Sequence, residues 1–125
     1  MKIAATIIRL LLGFMFLFAS VVVLFKLMPQ PEPTGQVKVF MDGMTATGYL
    51  MTLIKITELV CAIAFISGFF VPLSAVVIFP IIVNIFMFHL FMEPAGLPIA
   101  ILLLLGDLFL AYYYRDRYKP MLKLK

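Results

Sequence analysis

Hydrophobic residues are grouped in four long stretches that are separated by prolines, glycines and charged residues. A helix needs about 20 mainly apolar residues to cross the hydrocarbon core of a bilayer. The pattern therefore predicts transmembrane helices at about residues 3–28, 47–67, 72–91 and 97–114. The expected fold class is all-α: a polytopic membrane protein with a four-helix transmembrane bundle. We expect residues 1–125 to form a single transmembrane domain.

The segment between the first two stretches, residues 29–46, is predicted to be an outer loop. Three prolines at alternate positions in the sequence MPQPEPT cannot continue a helix. Beyond them, Val37, Phe40, Met41 and Met44 recur at helical spacing among polar residues. This spacing favours a short interfacial helix in the loop, capping the bundle on its outer side.

The third stretch contains Pro80, which predicts a kink and an unpaired backbone carbonyl one turn earlier. Asn84 follows one turn after the proline. Two interpretations of Asn84 stay open. Its side chain either satisfies the carbonyl that the kink leaves unpaired, or belongs to a ligand site.

Composition supports the membrane class. Hydrophobic residues make up 65% of the 125 residues and charged residues 13%, whereas soluble domains average about 45–50% and about 25%. The mean hydropathy is +1.17. A soluble fold of this size could not bury so much apolar surface, so we expect the lipid bilayer to be the main partner.

The net charge of +4 does not indicate nucleic-acid binding, because the basic residues are concentrated beside a hydrophobic helix. Five of them lie in the tail at 115–125: Arg115, Arg117, Lys119, Lys123 and Lys125. Basic residues mark cytoplasmic flanks. This distribution places both termini in the cytoplasm, and we expect the membrane to be a bacterial inner membrane.

Metal binding is not expected. Cys61 is the single cysteine, which excludes an intramolecular disulfide and thiolate metal clusters. His89 is the single histidine, and together with Glu93 it would still be an incomplete metal site. His89 is instead a candidate hydrogen-bonding group near the outer face.

Four ionised side chains lie well inside the apolar stretches: Arg9, Lys55, Glu58 and Asp107. A charge at the bilayer centre costs a few kcal/mol and persists where it meets a partner in the bundle interior. Their formal charges sum to zero. We expect Arg9 to pair with Asp107 or Glu58, and Lys55 to pair with the remaining carboxylate or with its i,i+3 neighbour Glu58.

Small residues on the Arg9 face of the first helix, Gly13 and Ser20, should let a neighbouring helix come close. Gly106, beside Asp107, could serve the same purpose on the fourth helix.

Two interpretations of the buried charges are equally supported. They either form a structural network that fixes helix register, or they form a site for a polar or redox-active ligand or a proton path. The candidate ligand-binding residues are Arg9, Lys55, Glu58, Asn84, His89 and Asp107. The sequence identifies no catalytic residues.

Four segments of the chain resemble the DoxX family of small four-helix membrane proteins. They are RLLLGFMFLFASVVVLFKL, KITELVCAIAFISGFFVPL, FPIIVNIFMFHLFMEPAGLP and LLLLGDLFLAYYYRD. The wider group includes DoxD-like subunits of thiosulfate–quinone oxidoreductases. The resemblance implies a membrane subunit, tied in some members to quinone reduction or to a redox complex, and it assigns no catalytic residues.

The functional expectation is an accessory or redox-complex subunit whose buried charges form a pocket for a small quinone-like or lipid-like ligand. We expect no intrinsic cofactor, with quinone as the candidate ligand, a redox protein as a partner, homo-oligomerisation, and no enzyme activity of the chain by itself. Two alternatives stay open: a small transporter or channel that works as an oligomer, and a structural membrane protein whose ion pairs only fix helix packing.

Overall fold

The structure is a computed structural model that describes residues 2–27 and 34–122. These residues form α-helices and short 3-10 turns, with no β-strand among them. The helices are α1 Lys2–Leu24, α2 Gly35–Ala46, α3 Leu50–Ser67, α4 Val71–Phe91, α5 Leu97–Tyr113 and α6 Arg115–Tyr118. The 3-10 turns are Pro94–Gly96 and Lys119–Leu122.

Four segments are long and apolar enough to cross a membrane: Lys2–Leu24, Leu50–Ser67, Val71–Phe91 and Pro94–Tyr113. They contain α1, α3, α4 and α5. The prediction of an all-α, four-helix transmembrane bundle is therefore confirmed. A helix also forms in the first long loop, as predicted, because α2 occupies Gly35–Ala46.

The four long helices form a closed ring. In this ring α1 packs against α3, α3 against α4, α4 against α5, and α5 against α1. The two pairs that do not adjoin in the ring, α3 with α5 and α1 with α4, therefore lie diagonally across the bundle axis. Helix α2 packs on α3 and reaches α4 through Phe40 and Phe88, whose ring centroids lie 5.3 Å apart.

Most of the buried side chains in the bundle are apolar, and the exterior of the ring is mainly apolar as well. Phe65, Ile78, Ile82 and Leu110 are fully buried. Large hydrophobic side chains such as Leu102 also cover the outer surface. Lipid tails are as apolar as the core, so close packing and not water exclusion must hold such helices together.

Helices α1 and α3 approach most tightly at Gly13. A Cβ atom at this position would lie 2.7 Å from Ile66 Cγ1 and 3.2 Å from the carbonyl oxygen of Ala62. Ser20, on the same face of α1, is completely buried. The expectation that small residues on this face admit a neighbouring helix is confirmed.

Helix α1 ends earlier than the sequence predicted, at Leu24 and not near residue 28. Lys26 adopts a left-handed backbone with φ 53, and the Leu27 N–H donates to the Val22 carbonyl at 3.1 Å. This is a Schellman-type ending, which usually requires glycine. Because lysine and not glycine occupies this position, the sequence does not predict that the helix ends here. Residue 28 itself lies outside the described residues.

The turn from α3 to α4 depends on backbone conformations with positive φ. Gly68 ends α3 at φ 86, and its N–H donates to the Ala64 carbonyl at 2.9 Å. Phe70 is also left-handed at φ 58, and Pro72 stands in the first turn of α4, where its missing N–H is not needed.

The segment predicted as a basic tail at 115–125 is helical as far as the structure describes it. Helix α6 and the 3-10 turn Lys119–Leu122 follow α5 almost directly. The Tyr118 hydroxyl donates a hydrogen bond of 2.6 Å to the carbonyl oxygen of Pro72, at the start of α4. This bond ties α6 to the end of the bundle where α3 meets α4. Residues 123–125 lie outside the described residues.

Candidate functional site

A cavity of about 540 Å³ lies between α2, α3 and α4. Ligand pockets in proteins usually measure about 300–1,000 Å³, with mostly apolar walls and a few polar groups. The cavity has this composition. Its polar lining residues are Lys55, Glu58, Asn84 and His89. We call it the α2–α4 pocket.

One wall of the α2–α4 pocket carries a buried ion pair. Lys55 Nζ lies 3.2 Å from Glu58 Oε2, and the two side chains are 16% and 3% exposed. The predicted i,i+3 pairing of these residues is confirmed. Glu58 lies eight residues after Leu50, or about 12 Å along the axis of α3. The pair is therefore near the middle of a span.

His89 faces the same pocket from the outer part of α4. Its Nδ1 lies 3.1 Å from the backbone carbonyl oxygen of Glu93. A carbonyl oxygen only accepts, so Nδ1 must carry the proton, and Nε2 of the neutral ring is then an acceptor. The ring also packs edge-on against Phe88 at 5.2 Å, and Gly96 leaves room for it, because a Cβ there would collide with the imidazole.

Asn84 lies on the α4 wall, one turn after Pro80. Its side chain is exposed, and none of the hydrogen bonds among the described residues involves it. The interpretation that Asn84 satisfies a carbonyl left unpaired one turn before Pro80 is therefore wrong. Its amide instead faces the pocket, where it supplies both a donor and an acceptor group.

The predicted pairing of Arg9 with Glu58 or Asp107 is also wrong. The Arg9 guanidinium lies against Gly68, where α3 ends. Helical side chains point toward the N-terminus of their helix, so Arg9 extends away from the middle of the span. It reaches the carbonyl end of α3, which carries partial negative charge and favours a cation.

Asp107 is likewise outside the α2–α4 pocket. It is 1% exposed and shares the inward face of α5 with Leu103 and Leu110, which are also buried. Its Oδ1 has no hydrogen-bond partner among the described residues. The six candidate residues are therefore separated into a pocket group of four, a buried Asp107, and Arg9 at one end of the bundle.

The sequence did not identify the apolar walls of the pocket. Phe40, Met41 and Met44 of α2 and Phe88 of α4 line it. The helical spacing of the α2 residues predicts an interfacial helix that caps the bundle, but it does not indicate a pocket beneath that helix. Which partner an amphipathic helix covers depends on tertiary packing, and Met44 is buried here.

A second cavity of about 460 Å³ lies between α1 and α5. Its walls consist of aliphatic and aromatic side chains and Gly106, so no polar group is present to orient a ligand. Across residues 2–27 and 34–122, no three His, Cys, Asp or Glu residues come together as a metal site.

Comparison with known protein families identifies a family that this chain matches. The family model of DoxX matches residues 4–90, which include most of α1, all of α2 and α3, α4 up to Leu90, and every residue that lines the α2–α4 pocket. No curated protein and no solved structure matches the chain. The matched region covers more than half of the 125 residues, and four of the helices are able to span a membrane. The protein is therefore an integral membrane protein that belongs to the DoxX family.

Proposed function

We propose that this DoxX-family protein binds an amphiphilic, quinone-like or lipid-like molecule in the α2–α4 pocket, as an accessory subunit of a redox complex. The observation that carries the proposal is the Lys55–Glu58 pair on the wall of a largely apolar cavity at mid-span. Intramembrane ionisable groups that face a cavity are functional candidates, because burying them without a use is expensive.

The polar groups of the pocket suit a head group that carries oxygen atoms. The Lys55 ammonium has three N–H donors, and one of them is directed at Glu58. The remaining donors, together with the Asn84 amide, can bind quinone carbonyl oxygens. The Glu58 carboxylate and Nε2 of His89 are acceptors, which suits the hydroxyl groups of a quinol.

The apolar walls suit the rest of such a molecule. Met41 and Met44 supply flexible, polarisable side chains that adapt to irregular ligands. Phe40 and Phe88 close the outer part of the pocket with a tilted aromatic pair. The pocket lies beside α3 and α4 and outside the four-helix ring, so a ligand enters it without separating the ring helices.

In this proposal the chain binds and positions the ligand, and a redox partner protein exchanges electrons with it. The chain is then not an enzyme by itself. The bacterial inner membrane is the expected location, because such membranes hold quinones together with their oxidoreductases. Homo-oligomerisation is compatible with this role, since the exposed faces of α1 and α5 lie away from the pocket.

The test is titration of the purified protein in lipid nanodiscs with decylubiquinone, followed by calorimetry. Met44→Trp, which adds a bulky ring to the apolar wall, should weaken binding about tenfold or more, equivalent to about 1.4 kcal/mol. Leu102→Trp is the matched control, because Leu102 lines the second cavity. It should bind the probe like the unmodified protein.

Equal affinities of Met44→Trp and the unmodified protein would contradict the proposal. Absence of probe binding, together with strong destabilisation when Lys55 is replaced, would favour a structural role for the ion pair. Solute flux into proteoliposomes would favour transport instead.

A further inference from the structure

The apolar cavity between α1 and α5 is a groove that opens toward lipid. Its floor contains the buried side chains of Leu12 and Leu103, and Gly106 supplies no side chain to fill it. Met15 and Leu102 on its rim are exposed on the outer surface of the bundle. A Cβ at Gly106 would meet α1 only at ordinary van der Waals distance, so a gap stays open between the two helices. We call this cavity the α1–α5 groove.

The groove follows one face of α5. Leu102, Leu105 and Phe109 line it, and Tyr112 continues the same face by one further i,i+3 step. Leu102 and Tyr112 are ten positions apart, or about 15 Å along the helix axis. This is half of the hydrocarbon core of a bilayer, which is about 30 Å thick. The face therefore covers the depth of one leaflet, and an acyl chain of that leaflet fits along it.

A cation lies at the polar end of this face. The Arg115 guanidinium folds back over the Tyr112 ring, with 4.4 Å between Cζ and the ring centroid. Its Nη1 donates to the Tyr112 carbonyl at 3.0 Å. Tyr112 is itself exposed, as are tyrosines of the aromatic belt at the level of the lipid head groups. The guanidinium is therefore held at the depth of the head groups, in line with the groove.

The Arg115 guanidinium keeps donors for an anion. It has five N–H donors in a planar fork, and the Tyr112 carbonyl accepts from one nitrogen of that fork. Of the ion pairs within residues 2–27 and 34–122, the nearest in sequence joins Lys119 to Asp116 at 2.9 Å, and none includes Arg115. Arg117 adds a second positive charge to α6. A guanidinium fork matches phosphate oxygens and binds them through two parallel hydrogen bonds.

We propose that the α1–α5 groove binds an anionic phospholipid from the leaflet at this end of the bundle. One acyl chain lies in the groove, and the lipid phosphate accepts hydrogen bonds from Arg115 beside Tyr112. The groove needs no polar group of its own, because the head group orients the lipid. The site is separate from the α2–α4 pocket, and the inference does not depend on the function proposed for that pocket.

A second copy of the chain suits this face less well than a lipid does. In a two-fold symmetric dimer, the same surface patch of each copy meets its counterpart. Two copies with the same orientation in the membrane would therefore bring their basic α6 segments together, and these segments carry Arg115 and Arg117. Like charges repel, whereas an anionic lipid supplies the opposite charge.

The test measures lipid contact by tryptophan fluorescence, because the chain has no tryptophan of its own. Phe109→Trp places the reporter in the groove. Ile63→Trp is the matched control, because Phe109 and Ile63 each lie four positions before the last residue of their helices, Tyr113 and Ser67. Ile63 is exposed and lines neither of the two cavities described above.

Both variants are placed in phosphatidylcholine nanodiscs that contain a small fraction of a lipid with brominated acyl chains, which quench a fluorophore that they touch. The brominated lipid is either phosphatidylglycerol or phosphatidylcholine. At Phe109→Trp we expect phosphatidylglycerol to associate about fivefold more strongly than phosphatidylcholine, as for one basic residue near an anionic head group. At Ile63→Trp the two lipids should associate equally.

Charge variants in the Phe109→Trp background test the role of Arg115. Arg115→Gln should remove the preference for phosphatidylglycerol, and Arg115→Lys, which keeps the charge but not the fork, should keep part of it. Lys119→Gln removes the same charge from the neighbouring ion pair with Asp116 and should keep most of the preference. Equal losses in Arg115→Gln and Lys119→Gln would overturn the proposal, because they would indicate a diffuse surface charge.

Two further results would also overturn it. Equal association of both brominated lipids at Phe109→Trp would exclude a site for an anionic head group. Absence of quenching at Phe109→Trp, with normal quenching at Ile63→Trp, would show that protein covers the groove and would favour self-association. Native mass spectrometry decides the question if the reporter variant does not fold. The unmodified chain should retain phosphatidylglycerol and Arg115→Gln should lose it, and an unmodified chain that retains none would overturn the proposal.

Discussion

The direction in which a helix carries its side chains decides the environment of each charge in this bundle. Arg9 leans toward the start of α1 and reaches Gly68. Lys55 and Glu58 are one turn apart on α3 and meet at 3.2 Å. Asp107 points inward from α5 and meets no cation in the part of the chain that the structure describes. These four charged residues therefore have different environments.

Replacing one member of the buried Lys55–Glu58 pair should lower the free energy of unfolding. Lys55→Met leaves the buried Glu58 carboxylate without its counter-charge. We expect a loss of about 3–5 kcal/mol in the free energy of unfolding. Lys38→Met is the matched control, because Lys38 lies 3.3 Å from Asp42 with both side chains mostly exposed. Its loss should stay within about 1 kcal/mol. Denaturant titration in mixed micelles measures the free energy of unfolding of both variants.

A double variant sharpens this prediction. Lys55→Met combined with Glu58→Gln removes both charges, so it should recover much of the stability that Lys55→Met loses. Additive losses in the double variant would show that the two side chains do not depend on each other.

Gly68 should tolerate alanine less well than Gly48. Both glycines are left-handed, at φ 86 and φ 80, and alanine in that conformation costs about 1–2 kcal/mol. At Gly68 the new Cβ also collides with the Arg9 guanidinium, whereas at Gly48 it meets no atom within 4 Å. Thermal unfolding in one detergent should therefore show a larger loss for Gly68→Ala. Equal losses would show that Arg9 does not pack at the end of α3.

The contacts between helices differ in how much space they leave. Helices α1 and α3 meet through Gly13 with almost no gap, whereas α1 and α5 meet through Gly106 at ordinary van der Waals distance. In a bilayer, where lipid offers an equally apolar alternative, such close packing largely determines which helices associate. The tight α1–α3 contact and the looser α1–α5 contact are therefore expected to respond differently to added volume.

Alanine substitutions test this difference. Gly13→Ala places a Cβ 2.7 Å from Ile66 Cγ1, and overpacking of this kind costs about 1–3 kcal/mol. Gly106→Ala places its Cβ 3.4 Å from Ile8 Cγ2, and alanine is favoured over glycine by about 1 kcal/mol within a helix. Unfolding midpoints should fall for the first and stay or rise for the second. A fall of similar size in both would contradict the distinction.

At the scale of the whole molecule, the ring of four spans and the two attached helices divide the protein into two ends. Helix α2, the start of α3 and His89 of α4 lie at one end. The start of α1, the Gly68 turn and α6 lie at the other. The α2–α4 pocket extends from the first end to mid-span, and Asp107 lies between mid-span and the second end. The α2–α4 pocket is therefore nearer to the first end of the bundle than Asp107 is.

This arrangement predicts a simple topology. In a Cys61→Ala background, cysteines placed at Lys2 and Lys119 should react with an impermeant thiol reagent from the same side of sealed vesicles. A cysteine at Thr45 of α2 should react only from the opposite side. The basic residues near the termini favour the cytoplasm for the first side. Labelling of all three positions from one side would contradict four spans.

The sequence by itself determined the class, the spans and the ion pair at i,i+3. Hydrophobic length, proline and glycine boundaries, and side-chain spacing along one helix are local properties, and they do not depend on which helices are neighbours. The Lys55–Glu58 contact is of this kind, since helical geometry alone brings the two residues together.

Only the tertiary structure decided which helices lie side by side and which lie across the axis. It therefore separated Arg9 and Asp107 from the pocket and brought α2 against α3 and α4. It also tied Tyr118 to Pro72, which are 46 positions apart. Apolar helices surrounded by lipid carry little information in their composition about their partners. Close packing at positions such as Gly13 determines which helices become neighbours. This packing can be seen only in the assembled bundle.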